Sequence, residues 1–185
     1  MSTDPDELAL VALKLFLERG FDSCSMDDVA SAAQVSRRTL FRYFRSKNDL
    51  VWGGADEALE RMRAGLATAP PEEPALQAIR RVYVDMLTFP PHLLEVTRRR
   101  LLLIGRNPVL RAWGVGRTEP AITLLTVFIA ARSAADPRDL APRVAAHTLA
   151  AAVDAALYWW AEFGDGDPQT VVGQVIDRID RALID

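Results

Sequence analysis

This sequence predicts an all-α protein of about nine helices, on three observations. Apolar residues recur at three- and four-residue spacing over nearly all of the 185 residues; no stretch alternates polar and apolar residues between turn dipeptides; and prolines and glycines fall where helices start and stop. A chain of this length that is 50% hydrophobic can bury its core without metal or disulfide.

Residues 6–19 place Leu8, Val11, Ala12, Leu15 and Phe16 on one stripe, and Gly20 supplies the stop. Ser25 then caps a second helix, its hydroxyl accepting from the backbone of Asp28 while that carboxylate reaches back. Asp27 and Asp28 suit the positive end of the helix. The helix is expected to stop near Ala33, with Gln34 and Val35 as the turn. Ser36 caps a third helix whose inward residues are Leu40 and Phe44. Ser46, Lys47 and Asn48 break the run before a longer fourth helix over residues 49–67.

The segment ATAPPEEP, residues 67–74, is too rich in proline and acid to continue a helix and marks an internal boundary. Five more helices follow at 75–89, 91–104, 108–134, 138–163 and 168–183, each opening at or just after a proline. Pro120 falls inside the third of these, where a kink is expected.

The formal net charge is −3, yet Arg37, Arg38, Arg42, Arg45 and Lys47 put five cations between Gln34 and Lys47 with no acid among them. Such a local patch says more about nucleic acid than the whole-chain balance does. Two short helices joined by a turn, the second basic, read as a helix-turn-helix, whose second helix presents its N-terminal residues to base edges. Arg37 and Arg38 take the base-reading role, joined by Arg42 one turn on, because a guanidinium forks onto guanine O6 and N7. Thr39, Tyr43 and Lys47 suit phosphate, and Ser25 at the preceding helix start adds a backbone anchor. The competing reading is a solvated basic helix that touches nothing.

A single cysteine, Cys24, cannot form an internal disulfide and fits a reducing compartment. The opening MSTDPDEL lacks the basic start and apolar core of a signal peptide, and apolar runs such as PAITLLTVFIAA are too short to span a bilayer. A cytoplasmic protein without membrane contact is expected.

The run from Phe21 to Leu50, with DVA, QVSRRTLFRYF and SKNDL at their spacing, resembles the DNA-binding signature of the TetR family of bacterial transcription regulators. The resemblance implies three N-terminal helices for DNA, a connector, and a larger helical domain that binds a small ligand and dimerises through its last two helices. On that layout residues 1–50 form the DNA-binding domain and residues 51–185 the ligand-binding and dimerisation domain. The partners implied are a palindromic double-stranded operator, a small-molecule effector and a second copy of the chain. By the same resemblance Thr39, Tyr43 and Lys47 match phosphate-touching positions, and Arg37, Arg38 and Arg42 match base or backbone contacts. Gln34 replaces the usual turn glycine, and Phe41 the commoner tyrosine.

Beyond the boundary, VTRRRLLLIGRNPVLR sets Arg98, Arg99, Arg100, Arg106 and Arg111 around an apolar run that includes Leu102. A cationic rim beside an aliphatic lining is what an amphiphilic anion requires. The alternative is a set of solvated or salt-bridged arginines on a core helix. This segment, WGGADEALERMR and AAHTLAAAVDAALYWW also resemble, more loosely, the TetR subgroup associated with mycofactocin systems, whose effectors are long-chain acyl-CoA thioesters. Candidate ligand contacts are therefore Arg98, Arg99, Arg106 and Leu102, with Trp113, Phe128 and Asp154. The two aromatics read first as core.

His147 and Asp154 lie seven residues apart on one face of the most apolar helix, with Tyr158 a turn further. The stripe either lines a cavity or bonds across a dimer, and His147, Tyr158 and Trp159 are candidate interface residues. Trp159 and Trp160 must point to different sides.

The leading function is a homodimeric, ligand-responsive regulator, most simply a repressor released by an acyl-CoA; a regulator of another lipophilic ligand and a protein-protein module are alternatives. A helical enzyme has little support. Two histidines and one cysteine supply no metal cluster, no glycine-rich phosphate loop or nucleophile elbow is present, and His147 and Asp154 stand about 10 Å apart along their helix. No cofactor and no metal are expected.

Overall fold

The computed structural model describes residues 4–184, with side chains through residue 179. Every regular element among the described residues is a helix, ten in all. They fall into two compact units: residues 1–54 with 89–112, and residues 55–88 with 113–185.

The first unit begins with α1 (Pro5–Arg19), which Asp4 caps by accepting from the Asp6 N–H at 2.9 Å. Gly20, at φ 90°, ends it, and its N–H donates to the Phe16 carbonyl at 3.0 Å. The buried face of α1 is wider than the expected stripe, because Ala9 and Leu13 join Leu8, Ala12, Leu15 and Phe16. Against α1 pack α2 (Met26–Ala32), α4 (Lys47–Trp52) and the amphipathic α7 (Pro91–Arg106), whose buried residues are Val96, Leu103 and Ile104. Packing thus draws a helix from the middle of the chain into the same unit as the first 54 residues. Between α2 and α4 lies α3 (Arg37–Tyr43). Cys24 is buried, its thiol directed at the Leu15 carbonyl.

The connector differs from the single helix expected over residues 49–67. It is two helices, α4 and α5 (Ala55–Ala67), broken at Gly53 and Gly54. Gly54 adopts φ 85°, a conformation costly to any residue with a Cβ, and two adjacent glycines have little helix propensity to resist it.

The second unit holds α5, α6 (Ala75–Met86), most of α8 (Pro108–Arg132), α9 (Leu140–Phe163) and α10 (Pro168–Ile184). The α6 helix packs on α5 and α10, and α10 also packs on α9. Close approach of α5 to α6 requires Gly65, since a Cβ there would sit 2.9 Å from Val82 Cγ2. The α8 helix continues through Pro120. At its end Ala134 takes φ 52° so that the Ala135 N–H reaches the Ala130 carbonyl at 3.0 Å. Arg132 holds the α5–α6 loop: its Nη1 lies 2.6 Å from the Pro70 and Glu73 carbonyls and 2.8 Å from that of Pro71, and Nη2 lies 3.0 Å from that of Ala69.

Candidate nucleic-acid interface

The geometry begins with two caps. Ser25 and Asp28 form a reciprocal box: the Asp28 N–H donates to Ser25 Oγ at 3.1 Å, and the Ser25 N–H donates to the Asp28 carboxylate at 2.7 Å. The Ser25 hydroxyl also donates to that carboxylate at 2.6 Å, and these bonds hold the Asp28 carboxyl below its ordinary range. Both donors of Ser25 are thus committed to Asp28, so the expected anchor role would require displacing this carboxylate. Ser36 caps α3 by accepting from the Thr39 N–H at 3.0 Å.

Between the caps, Gln34 adopts the left-handed backbone at φ 55° where glycine is usual. The turn closes with the Val35 N–H on the Ala30 carbonyl at 3.0 Å. Val29, Ala30, Leu40 and Phe44 are buried, which seats α3 on α2.

Leu40 is fully buried, and it orients the helix. Residues two before and two after it in an α-helix each lie about 160° around from it. Those residues are Arg38 and Arg42, and both are exposed. Arg38 makes no hydrogen bond or ion pair among the described residues. Arg42 lies over the Tyr43 ring at 4.7 Å and donates to the Tyr43 hydroxyl at 2.8 Å. Arg37 differs: its Nε lies 3.3 Å from Asp27 Oδ1, Nη1 donates to Asp27 Oδ2 at 3.4 Å, and its guanidinium stands 5.3 Å from the Phe41 ring centre. The side chain of Thr39 is half-buried beside Ser36 Oγ, at 2.8 Å. Lys47 is partly buried, with Nζ on the Phe21 carbonyl at 2.7 Å.

The candidate ligand residues are not gathered in one unit. Arg98, Arg99, Leu102 and Arg106 belong to the first, and Trp113, Phe128 and Asp154 to the second. Arg99 is paired with Glu95 at 2.6 Å, and Arg98 and Arg106 are also engaged. Arg117 covers the Trp113 ring at 4.7 Å, and Arg132 covers that of Phe128 at 4.9 Å. Arg100, which lay outside that set, has its Nε buried without a hydrogen-bond partner; burial lowers its pKa, opposed by the charge of Asp6. Burial raises the Asp154 carboxyl to about 6, and it raises the Tyr83 hydroxyl too, with the charge of Asp154 adding to the effect.

Two surface depressions exclude all of these residues. One of about 130 Å³ is lined by Arg61, Gly65, Val82, Asp85 and Met86. The other, of about 280 Å³, is lined by Val11, Lys14, Leu15, Glu18 and Ala32.

Of the candidate interface residues on α9, His147 and Trp159 are exposed, whereas Tyr158 is half-buried and engaged. Trp160 is fully buried, its indole N–H on the Gly166 carbonyl at 2.5 Å. The two tryptophans face different sides, Trp159 toward solvent and Trp160 into the core. Among the described residues no group of three or more His, Cys, Asp or Glu side chains could hold a metal ion, and no helix is long and apolar enough to cross a membrane.

Comparison with known proteins agrees with this geometry. Residues 10–51 match the family described as bacterial regulatory proteins, tetR family, and residues 73–183 match the MftR C-terminal domain. A Mycobacterium tuberculosis protein assigned as the mycofactocin biosynthesis transcriptional regulator MftR is 30% identical, over 97% of this chain and 94% of its own. Among solved structures, FadR from Bacillus subtilis in complex with stearoyl-CoA superposes at a TM-score of 0.64 with 18% identity, covering 92% of this chain and 95% of that one. AibR in complex with isovaleryl coenzyme A and operator DNA superposes at 0.54 with 16% identity, covering 95% and 97%. At those identities the two structures speak for the fold. The two capped helices α2 and α3, and matches that together span most of the chain, place this protein in the TetR family of bacterial transcriptional regulators, with a C-terminal domain of the MftR type.

Proposed function

We propose that the protein is a homodimeric repressor that reads a palindromic operator through α3 and releases it on binding a long-chain acyl-CoA. The observation that carries the DNA reading is the placement of Arg38 and Arg42 opposite the buried Leu40, which turns two guanidiniums outward from one short helix. Arg38, free of protein partners, is the primary base reader. Arg42, Thr39, Tyr43 and the remaining donors of Lys47 hold phosphate.

Dimerisation through α9 is supported by an unpartnered apolar stripe. Leu140, Val144, Trp159 and Phe163 are 78%, 52%, 52% and 64% exposed, and the exposed Ala151 and Ala155 lie between them on the same face. Two α3 helices in a symmetric dimer then reach major grooves about one helical turn of DNA apart or somewhat more. The protein works where the chromosome is, in the cytoplasm.

The acyl-CoA reading is supported by the C-terminal domain type and by the coenzyme A thioesters bound to FadR and AibR. Release needs only a ligand that favours the non-binding conformation, and a tenfold loss of operator affinity corresponds to about 1.4 kcal/mol of coupling. Fluorescence anisotropy on duplex DNA from upstream of the coding region, at stated salt, tests it. Oleoyl-CoA should weaken specific binding while free oleate does not. Binding indifferent to both lipids would remove the ligand and keep the regulator.

A further inference from the structure

Asp27 is an acidic side chain that touches the reading helix, and neither the caps nor the core account for that contact. The α2 cap is already complete, since Ser25 and Asp28 satisfy each other. Asp27 is exposed, and both its carboxylate oxygens face Arg37, ten residues on: Oδ1 stands 3.3 Å from Nε and Oδ2 accepts from Nη1 at 3.4 Å. On another side the Phe41 ring lies 5.3 Å from the guanidinium centre. Nη2 has no partner among the described residues.

A carboxylate beside a phosphate-binding surface weakens the general attraction to DNA. An arginine tied to a carboxylate and flanked by a ring, by contrast, loses fewer rotamers when its remaining N–H groups meet a base. We propose that Asp27 is a positioning residue for sequence discrimination: it holds Arg37 so that the free edge of the guanidinium reads one base position in each half-site, at the expense of non-specific affinity. The proposal rests on the DNA-reading function above, and it separates the two arginines. Arg38 is a free reader and Arg37 a held one.

The test is selection from a pool of duplexes with a randomised central segment, carried out in parallel on the parent protein, Asp27→Asn and Arg37→Lys, with affinity for an unrelated duplex measured beside it. The parent should enrich a palindromic motif. Asp27→Asn should enrich the same motif with preference at one position per half-site reduced about tenfold, while the unrelated duplex binds as well as before or a few-fold tighter. Arg37→Lys keeps the charge but cannot fork, and should relax the same position. A purely structural aspartate would instead lower the melting temperature and weaken all duplexes alike. Unchanged discrimination in either variant overturns the proposal, and relaxation at different positions does so too. A parent that enriches nothing overturns the DNA-reading function and this proposal together.

Discussion

Lys47 donates to the carbonyl of Phe21 at 2.7 Å while its ammonium lies 4.5 Å from the centre of the Phe21 ring. One side chain from the start of α4 thereby holds the chain just after α1, and Phe21 in turn packs edge-on against Phe16 with ring centres 5.2 Å apart. Lys47 is a structural tether before it is a phosphate contact. Replacing it with methionine should lower stability by about 1–2 kcal/mol, from a charged hydrogen bond and a cation–π contact, in urea titrations. If Lys47 also reaches phosphate, the slope of log affinity against log salt should fall by about 1.

Gln34 and Ala134 hold left-handed backbone at φ 55° and 52°, each closing the end of a helix. That conformation costs a residue with a Cβ roughly 1–2 kcal/mol, of which glycine recovers part after its own entropy loss. Gln34→Gly and Ala134→Gly should each raise stability by about 0.5–1 kcal/mol, measured by thermal or urea unfolding. Valine at either position should lower it.

Four carbonyls of the α5–α6 loop converge on Arg132, and three of them share the two hydrogens of Nη1. Glu73, whose carbonyl is one of the four, is itself paired through its carboxylate with Arg81 at 2.9 Å, which holds the carboxyl below its ordinary range. Arg132→Met should destabilise by about 2–3 kcal/mol, because loop carbonyls lose a charged donor. Arg132→Lys should recover less than half, since an ammonium lacks the fork. Hydrogen exchange of residues 68–74 should accelerate in both variants.

Asp154 carries a carboxyl raised from 3.8 to about 6 by burial. A carboxyl with a raised folded-state value destabilises the fold when ionised, so stability falls as pH rises from about 4 to about 6 and is level above. Asp154→Asn should therefore gain about 1–3 kcal/mol at pH 7 and almost nothing at pH 4. Unfolding titrations at both pH values check this; an equal effect at the two would show that the ionised carboxylate is not the source of the cost.

Local chemistry wrote most of the helices into the sequence. The Ser25 and Asp28 box, the Ser36 cap and the Gly20 stop act within a few residues of one another, so their spacing was sufficient to place α1 to α3. The prolines at positions 91, 108 and 168 marked the first turns of α7, α8 and α10 for the same reason. The cation cluster and the buried position of Leu40 likewise followed from composition and period, and with them the outward aim of Arg38 and Arg42. Gly53 and Gly54 were visible too, but an apolar period ran through them, and only the packed structure showed that φ 85° at Gly54 breaks the connector.

What periodicity cannot say is which surface covers an apolar face or which charge meets another across a turn. The tying of Arg37 to Asp27, the capture of α7 by α1, the commitment of both Ser25 donors to Asp28, and the partial burial of Asp154 while His147 on the same face stays exposed were decided by tertiary contacts. A helix period defines a direction, whereas desolvation and pairing depend on the neighbour that the rest of the chain brings to that direction.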